Sequence, residues 1–392
     1  MNNFVFHNPV KILFGKDTIA AIGTETKEYG TNVLLVHGQN ALRQNGTLSQ
    51  IEDSLYASGC RIAYHGEVPP NPTVKCVHEG VKIFRQNSCE VICAAGGGSV
   101  IDTAKAISCA VPVEHDVWKF FTTKKKIRSV TPLTCVATVA GSGSESNSGM
   151  VITNEYTQQK FGYGNRLLFP KVSILNPETT FSVPPQQTVY GAVDIIAHLV
   201  ELYCNNSIES PIVQNGIMES LIKSVMNSVE AVLQNPSDYA ARAQLMWAAS
   251  LSLNGLTSAG LGRVSMPVHL IEPSLAALHD TNHGAGLSLI LPSWIKYTAA
   301  IRPEKTAQLG RRLFALKMNN AEAAASLTAD RFKEWFVKIG CPLSLANLDI
   351  SRDRLSLISE NTQALAKIWR IPDYSSKAVL KILNLCYAGT DL

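Results

Sequence analysis

Short apolar, β-branched runs recur about every thirty residues through the first half of the chain, the pitch of strand–helix–strand units. Val33-Leu34-Leu35-Val36, Arg61-Ile62-Ala63-Tyr64 and Glu90-Val91-Ile92-Cys93-Ala94-Ala95 set that rhythm, with helix-like stretches such as 77–86 between them. Leu133-Thr134-Cys135-Val136-Ala137, Met150-Val151-Ile152-Thr153 and Val172-Ser173-Ile174-Leu175 add further strands. In Val68-Pro69-Pro70-Asn71-Pro72 each proline biases its predecessor toward extended geometry, so this connection reads as a stiff loop. The pattern changes at Phe181-Ser182-Val183-Pro184-Pro185. Beyond it helical periodicity covers 217–233, 240–253, 304–316 and 321–339, and no repeated strand pattern returns. The expectation is an α/β domain over 1–184 followed by an all-helical domain over 185–392.

Composition narrows the function classes. At 392 residues, with 46% hydrophobic and 17% charged side chains, the chain has material for more than one core and reads as globular. The net charge of +4 comes with no basic tract longer than Lys124-Lys125-Lys126, which reads as a solvated loop. Nucleic-acid and membrane-surface roles are therefore not expected. Nine cysteines are scattered without a C-x-x-C pair, and Cys93 and Cys135 sit in apolar runs as small core residues, which suggests a reducing compartment. No basic segment followed by a hydrophobic one opens the sequence, and no apolar run approaches the ~18 residues of a spanning helix. A soluble, cytoplasmic protein is the expectation.

Two turns suit a phosphate-bearing ligand. Gly96-Gly97-Gly98-Ser99-Val100-Ile101-Asp102 follows a strand and opens a helix, where free N–H groups and the helix dipole favour an anion. Gly141-Ser142-Gly143-Ser144-Glu145-Ser146 also follows a strand, and its hydroxyls suit a pyrophosphate or ribose. Neither completes G-x-G-x-x-G, since Ile101 and Ser146 stand at the last position. That fingerprint is expected after the first strand of a dinucleotide fold, where this chain has Val36-His37-Gly38-Gln39-Asn40 with one glycine. A dinucleotide bound here follows a different scheme.

The helical half carries a metal-like pattern. Asp194 and His198 lie four apart, stacked on one face of a helix with Glu201 nearby, amid apolar neighbours. A buried carboxylate and imidazole need partners, and a divalent cation supplies one. His269, His279 and His283 fall within fifteen residues; His279 and His283 share a face if helical, unless Thr281-Asn282 breaks into a loop. Together these offer an oxygen and nitrogen set suited to Zn²⁺ or Fe²⁺. A helix salt bridge and a chance group of capping and core histidines would leave the same pattern, and both readings stay open at this point.

The ordered motifs resemble those of the iron-containing (group III) alcohol dehydrogenases, in particular the branch of NADPH-dependent butanol dehydrogenases and aldehyde reductases. The resemblance covers nearly the whole chain. It rests on Phe6-His7-Asn8-Pro9 to Leu13-Phe14-Gly15, Pro70-Asn71-Pro72, Gly96-Gly97-Gly98-Ser99-x-x-Asp102, Gly141-Ser142-Gly143-Ser144-Glu145, Asp194-x-x-x-His198 and the histidine cluster. It implies a dehydroquinate synthase-like architecture: an N-terminal dinucleotide-binding α/β domain, an all-helical C-terminal domain, and an active site in the cleft between them. It implies Asp194, His198, His269 and His283 as ligands of one Fe²⁺ or Zn²⁺. Gly96, Gly97, Gly98, Ser99 and Asp102 match the pyrophosphate loop. Thr138, Ser142 and Ser144 match positions lining the riboses, and Lys160 one that reaches the nicotinamide-side ribose. Gly38, Gln39, Asn40 and Asn71 join the expected cofactor contacts, and a homodimer is the family's suggestion.

Two departures qualify that picture. Family members usually carry a histidine four residues after the third ligand, where this chain has Pro273, with neither a side-chain donor nor an N–H. Proton relay then falls to His279 or water, or activity is reduced, and the helix there could bend. NAD-preferring members place an aspartate at the end of the first strand to meet the ribose 2′-hydroxyl. His37-Gly38-Gln39-Asn40 carries no acid, which favours NADP(H) over NAD(H), although no arginine clamp for a 2′-phosphate is evident. The expected activity is hydride transfer between NADP(H) and a small alcohol or aldehyde, with Leu256 and Leu261 as candidates for an apolar pocket. Two alternatives are a metal-dependent hydrolase or lyase, which the glycine turns oppose, and a cofactor- and metal-binding protein with little turnover, which Pro273 would explain.

Overall fold

The computed structural model describes every residue except Asn40, Leu343 and 389–392. Eight strands form along the first half: β1 Lys11–Phe14, β2 Asn32–His37, β3 Arg61–His65, β4 Val91–Gly96, β5 Leu133–Ala137, β6 Gly149–Asn154, β7 Gln159–Gly164 and β8 Val172–Leu175. Among them run helices α1 Ile22–Lys27, α2 Ala41–Gln44, α3 Thr47–Ala57, α4 Val74–Gln86, α5 Gly98–Ala110 and α6 Trp118–Phe121. The second half holds α7 Pro185–Cys204, α8 Ile212–Gln234, α9 Tyr239–Leu253, α10 Pro267–His279 and α11 His283–Ala299. It ends with α12 Glu304–Phe314, α13 Ala321–Lys338, α14 Leu355–Trp369 and α15 Ser376–Ala388.

Six strands form one sheet in the order β1-β8-β5-β4-β2-β3, with every pair parallel. Its centre is apolar on both faces, as a parallel sheet covered by helices requires: Val33, Leu34, Leu35, Val36, Val91 and Ile92 have no solvent exposure. Each such side chain contributes roughly 1.5–3 kcal/mol of burial. The expected strands are present at these places: β5 and β8 keep the expected bounds, β4 is shifted by one residue, and β2, β3 and β6 are extended by one or two residues. β6 is a strand, as its sequence suggests, and pairs antiparallel with β7 instead of joining the sheet. Neither β1 nor β7 stands out in the sequence: β1 is four residues long, and β7 reads Gln-Lys-Phe-Gly-Tyr-Gly.

The chain leaves β2 toward β3 on one side and leaves β4 toward β5 on the other, so the connections diverge between β2 and β4. In parallel sheets that divergence opens a crevice at the carboxyl ends of the strands, where ligands bind. Gly38 follows β2 and the glycine loop follows β4, brought side by side by the pairing of His37 with Ala95.

By contacts the chain divides into two compact units. One holds His7–Thr188 with Ala231–Gly255, so that α9 lies in the unit of the sheet. There Ser250 Oγ donates to Glu145 Oε1, Ser146 Oγ to Ser250 O at 3.0 Å, and Asn8 Nδ2 to both Ser146 O and Asn254 O. The other holds Met1–Phe6, Val189–Glu230 and the chain from Leu256 onward. Its long helices include α7 and α10–α15, and among the described residues no strand longer than an isolated bridge occurs after β8. No helix of the described residues is long and apolar enough to cross a membrane. All nine cysteines are free and buried, and Lys124, Lys125 and Lys126 are exposed in a loop.

Candidate functional site: a buried histidine–carboxylate centre and two glycine turns

Beyond its first turn helix α7 is apolar on nearly every face, and Asp194 and His198, one turn apart, interrupt it there together with Glu201. His269 enters from the first turns of α10. His283 opens α11, because Asp280 adopts a left-handed conformation (φ 50°) that ends α10 and Asn282 caps the next helix by accepting from Gly284 N at 3.1 Å. His279 and His283 therefore lie on separate helices, and the break at Thr281-Asn282 is realised.

Three imidazole Nε2 atoms surround one oxygen. Asp194 Oδ1 lies 3.3 Å from His269, 3.4 Å from His198 and 3.6 Å from His283. Four ligands about 2.1 Å from a tetrahedral ion stand about 3.4 Å from one another, and the separations from Asp194 Oδ1 are of that order. Asp194, His198 and His269 offer ligand atoms within 4.8 Å of one another, while His283 approaches Asp194 without joining that tighter group. The opposite ring nitrogens are held from behind: His269 Nδ1 bonds Glu201 Oε2, and His283 Nδ1 bonds Glu272 Oε2. Both glutamates are fully buried. Glu201 Oε1 also accepts from Val268 N at 2.5 Å, tying α7 to the start of α10. A carboxylate behind an imidazole fixes the proton on Nδ1 and turns the Nε2 lone pair to the front, as in metal centres. His198 Nδ1 is buried without a hydrogen-bond partner.

Electrostatics point the same way. Burial alone would raise the Asp194 carboxyl, but the His198, His269 and His283 imidazoles outweigh it and hold it well below the usual carboxylate range. Burial draws His198 down to about 3, reinforced by the two other imidazoles and opposed by Asp194. Burial likewise disfavours charge on His269 and His283. Glu201 and Asp194 nevertheless carry His269 up to about 10, and Glu272 and Asp194 raise His283. The three buried carboxylates thus call for positive charge at the centre. A divalent ion meets that demand while leaving all three imidazoles neutral, so the donor set fits the implied metal. The His283 side chain keeps 33% exposure against 10% or less for the other three, so the centre is open on that side.

The spacing H-x-x-E places Glu272 on the face of His269, a signal the sequence carries; its pairing with His283, across the break between helices, is set by the tertiary fold. His279 closes α10, with its Nε2 buried and unpartnered, and burial together with Arg354 lowers its pKa. Pro273 sits inside α10, which continues through it. Leu256 is half-buried, whereas Leu261 has no exposed surface to offer a substrate.

In the unit of the sheet, the glycine loop enters α5 with Gly97 as N-cap and no capping side chain. A Cβ on Gly96 would overlap Val100, and one on Gly98 would overlap Ser142 Oγ, so the two turns abut at a distance that only glycine permits. This bare helix start is the cradle a pyrophosphate needs. Ser99 Oγ donates to Pro70 O at 2.5 Å, and Lys160 Nζ to Asn71 Oδ1 at 2.9 Å. The proline loop is thereby tied to both α5 and β7. Thr138 N donates to Gly96 O at 3.1 Å, joining the ends of β4 and β5. Asp102 Oδ1 accepts from Ser144 Oγ at 2.6 Å. The fold thus gathers Gly96, Gly97, Gly98, Ser99, Asp102, Thr138, Ser142 and Ser144 at adjoining strand ends, with Asn71 and Lys160 joined beside them. Gly38 is half-buried and Gln39 exposed beyond β2, while Asn40 lies outside the described residues.

Comparison with known proteins extends over both units. A family model for iron-containing alcohol dehydrogenase matches residues 9–177, and one for the C-terminal part of the Fe-containing alcohol dehydrogenase family matches 188–387. The chain is 34% identical over 386 residues to a probable NADH-dependent butanol dehydrogenase of Bacillus subtilis (strain 168), covering 98% of this chain and 99% of that one. It is 31% identical over 350 residues to an NADPH-dependent aldehyde reductase of Escherichia coli (strain K12), covering 88% and 89%. Among solved structures, an NADH-dependent butanol dehydrogenase A from Thermotoga maritima superposes with a TM-score of 0.95 at 37% identity, covering 99% of both chains.

Proposed function

Because the chain belongs to the iron-containing alcohol dehydrogenase family and is thus a metal-dependent, NAD(P)-linked oxidoreductase of alcohols and aldehydes, we propose which of its residues divide that work. Asp194, His198, His269 and His283 hold the divalent ion, iron or zinc, in the helical domain, 185–392. The glycine turns of the α/β domain, 1–184, hold the nucleotide. The observation that carries the reading is the convergence of three Nε2 atoms on Asp194 Oδ1, with Glu201 and Glu272 behind two of the rings. When bound, the ion supplies Lewis acidity toward the substrate oxygen and the nicotinamide supplies or takes the hydride.

The protein's own part is orientation and charge. Asp194 contributes the single anionic ligand. Glu201 and Glu272 keep the protons of His269 and His283 on Nδ1, so that both Nε2 lone pairs face the centre. Burial of Asp194, His198 and His269 keeps water from that side, and the more exposed flank beside His283 is where a small alcohol or aldehyde can approach. The test is oxidation of NADPH and NADH with butanal by protein assayed for iron and zinc, with and without chelator. Turnover lost with the chelator and restored by the metal is expected.

Pro273 places no proton donor one turn after His269, so the proton exchanged with the substrate oxygen passes through water or His279. Pro273→His adds an imidazole and restores an N–H to α10. We expect kcat for butanal to rise about 10-fold or more, within the usual contribution of a general acid. An unchanged kcat at full metal content would show that the position plays no part in proton transfer.

The absence of an acid after β2 supports a preference for NADP(H), although the similar butanol dehydrogenases are named NADH-dependent. Gly38 offers a direct test, since a Cβ there would meet only Val100 Cγ2, at an ordinary 3.6 Å. Gly38→Asp puts a carboxylate where a 2′-phosphate would be repelled and a 2′-hydroxyl could donate. The ratio of kcat/KM for NADPH over NADH should exceed one in the native protein and fall at least about 10-fold in the variant, equivalent to ~1.4 kcal/mol. A native ratio below one rejects the preference. Buried free cysteines support a cytoplasmic setting, and a homodimer, suggested by the family resemblance, is checked by light scattering.

A further inference from the structure

Lys105 lies on α5 two turns beyond the glycine loop, and its side chain has no solvent exposure. Its Nζ donates to Ser144 O (2.7 Å), Ser144 Oγ (2.9 Å), Asn147 O (2.9 Å), Asn147 Oδ1 (3.2 Å) and Gly149 O (2.7 Å). Three N–H bonds are thus shared among five oxygens, all within one six-residue segment. Asp102, one turn earlier on the same face, accepts from Ser144 Oγ and, through Oδ2, from Val151 N at 2.8 Å. Glu145 of the same segment is buried as well.

Burying an ammonium costs free energy that a merely compact turn would not require. Burial draws Lys105 down to about 8, with Asp102, Cys135 and Glu145 opposing, and the five oxygens within 3.2 Å of Nζ, four of them acceptors only, suit the ammonium form. The segment Lys105 grips begins two residues after Ser142, whose hydroxyl stands where a Cβ of Gly98 would go. A shift of the serine turn toward α5 would close the space over the glycine loop, and a shift away would separate the two turns.

We propose that Lys105 is a positioning residue for the dinucleotide: its ammonium clasps the Ser144–Gly149 segment to α5 and so sets the separation between the two glycine turns. The proposal rests on the reading that these turns hold the cofactor. It assigns Lys105 no contact with the nucleotide itself.

Wild type, Lys105→Met and Asn147→Ala would be titrated with NADH and with NADPH by nucleotide fluorescence, alongside metal analysis and melting temperature. Asn147→Ala loosens the same turn more gently, since Asn147 also donates to Ser142 O at 3.3 Å and Gly143 O at 2.9 Å. The Kd of the preferred nucleotide is expected to rise about 10-fold or more in Lys105→Met, the scale of losing charge-assisted hydrogen bonds. The rise should be smaller in Asn147→Ala. Metal content should hold, and kcat at saturating nucleotide should change far less than Kd. A lowered melting temperature with native Kd would assign Lys105 to packing alone and overturn the proposal. If Lys105→Met does not fold, Asn147→Ala decides, and a native Kd there overturns it. If metal-loaded wild type binds neither nucleotide, the reading of the turns fails and the proposal falls with it.

Discussion

His269→Ala is expected to remove stoichiometric metal binding and to lower butanal reduction by about three orders of magnitude. The change deletes one of four ligands, and the Lewis acidity it abolishes is worth several kcal/mol, at ~1.4 kcal/mol per tenfold. It also leaves Glu201 fully buried without the imidazole it now bonds, an uncompensated charge that should lower the melting temperature of the variant as well. Glu201→Gln separates orientation from ligation, because the ring stays while its fixed tautomer is lost. Metal affinity should then fall about 10- to 100-fold, measured by competition with a chelator, with the circular dichroism spectrum unchanged. Native metal content in His269→Ala would place the ligands elsewhere.

The halves of this centre differ in how far the sequence alone reveals them. Asp194 and His198 are readable because helical spacing stacks them and their neighbours are apolar. The strand runs around Val33, Val91 and Leu133 are readable because a parallel sheet buried on both faces must be apolar throughout. What escapes local pattern is whatever depends on distant pairing. β1 is a strand because β8, some 160 residues later, supplies its hydrogen-bond partners. β7 contains two glycines and a buried lysine, and is held extended by β6 across a tight turn. Nothing in the periodicity of α9 says that Ser250 anchors it beneath Glu145 in the unit of the sheet. For the site, the four-residue spacing of His279 and His283 suggests one helical face, and only the left-handed Asp280 with the Asn282 cap separates them. The partners of His269 and His283 are acids whose burial the sequence suggests but whose pairing it does not state.

Gly98→Val should weaken binding of both nicotinamide nucleotides by about two orders of magnitude or more while sparing the metal. A Cβ at Gly98 overlaps Ser142 Oγ, and relieving such a clash costs about 1–3 kcal/mol. The branched side chain also keeps a phosphate from the N–H groups at the start of α5, where each charge-assisted hydrogen bond is worth about 1.5–3 kcal/mol. Nucleotide fluorescence titration and metal analysis on one preparation check both halves. His269→Ala should show the converse, with nucleotide affinity kept and metal lost. Reciprocal losses of this kind assign nucleotide and ion to separate groups of residues. A Gly98→Val protein that binds nucleotide with native affinity would remove the glycine loop from the cofactor site.

The most direct measurement on the metal centre is X-ray absorption at the metal edge of the native protein loaded with Zn²⁺ or Fe²⁺. The expected spectrum has three imidazole nitrogens and one carboxylate oxygen at about 2.0–2.2 Å, no sulfur, and room for one further light ligand. The scatterer at that distance should fall by one imidazole in His283→Ala. Sulfur among the atoms bound to the metal, or fewer than three imidazoles in the native protein, would contradict the assignment of Asp194, His198, His269 and His283.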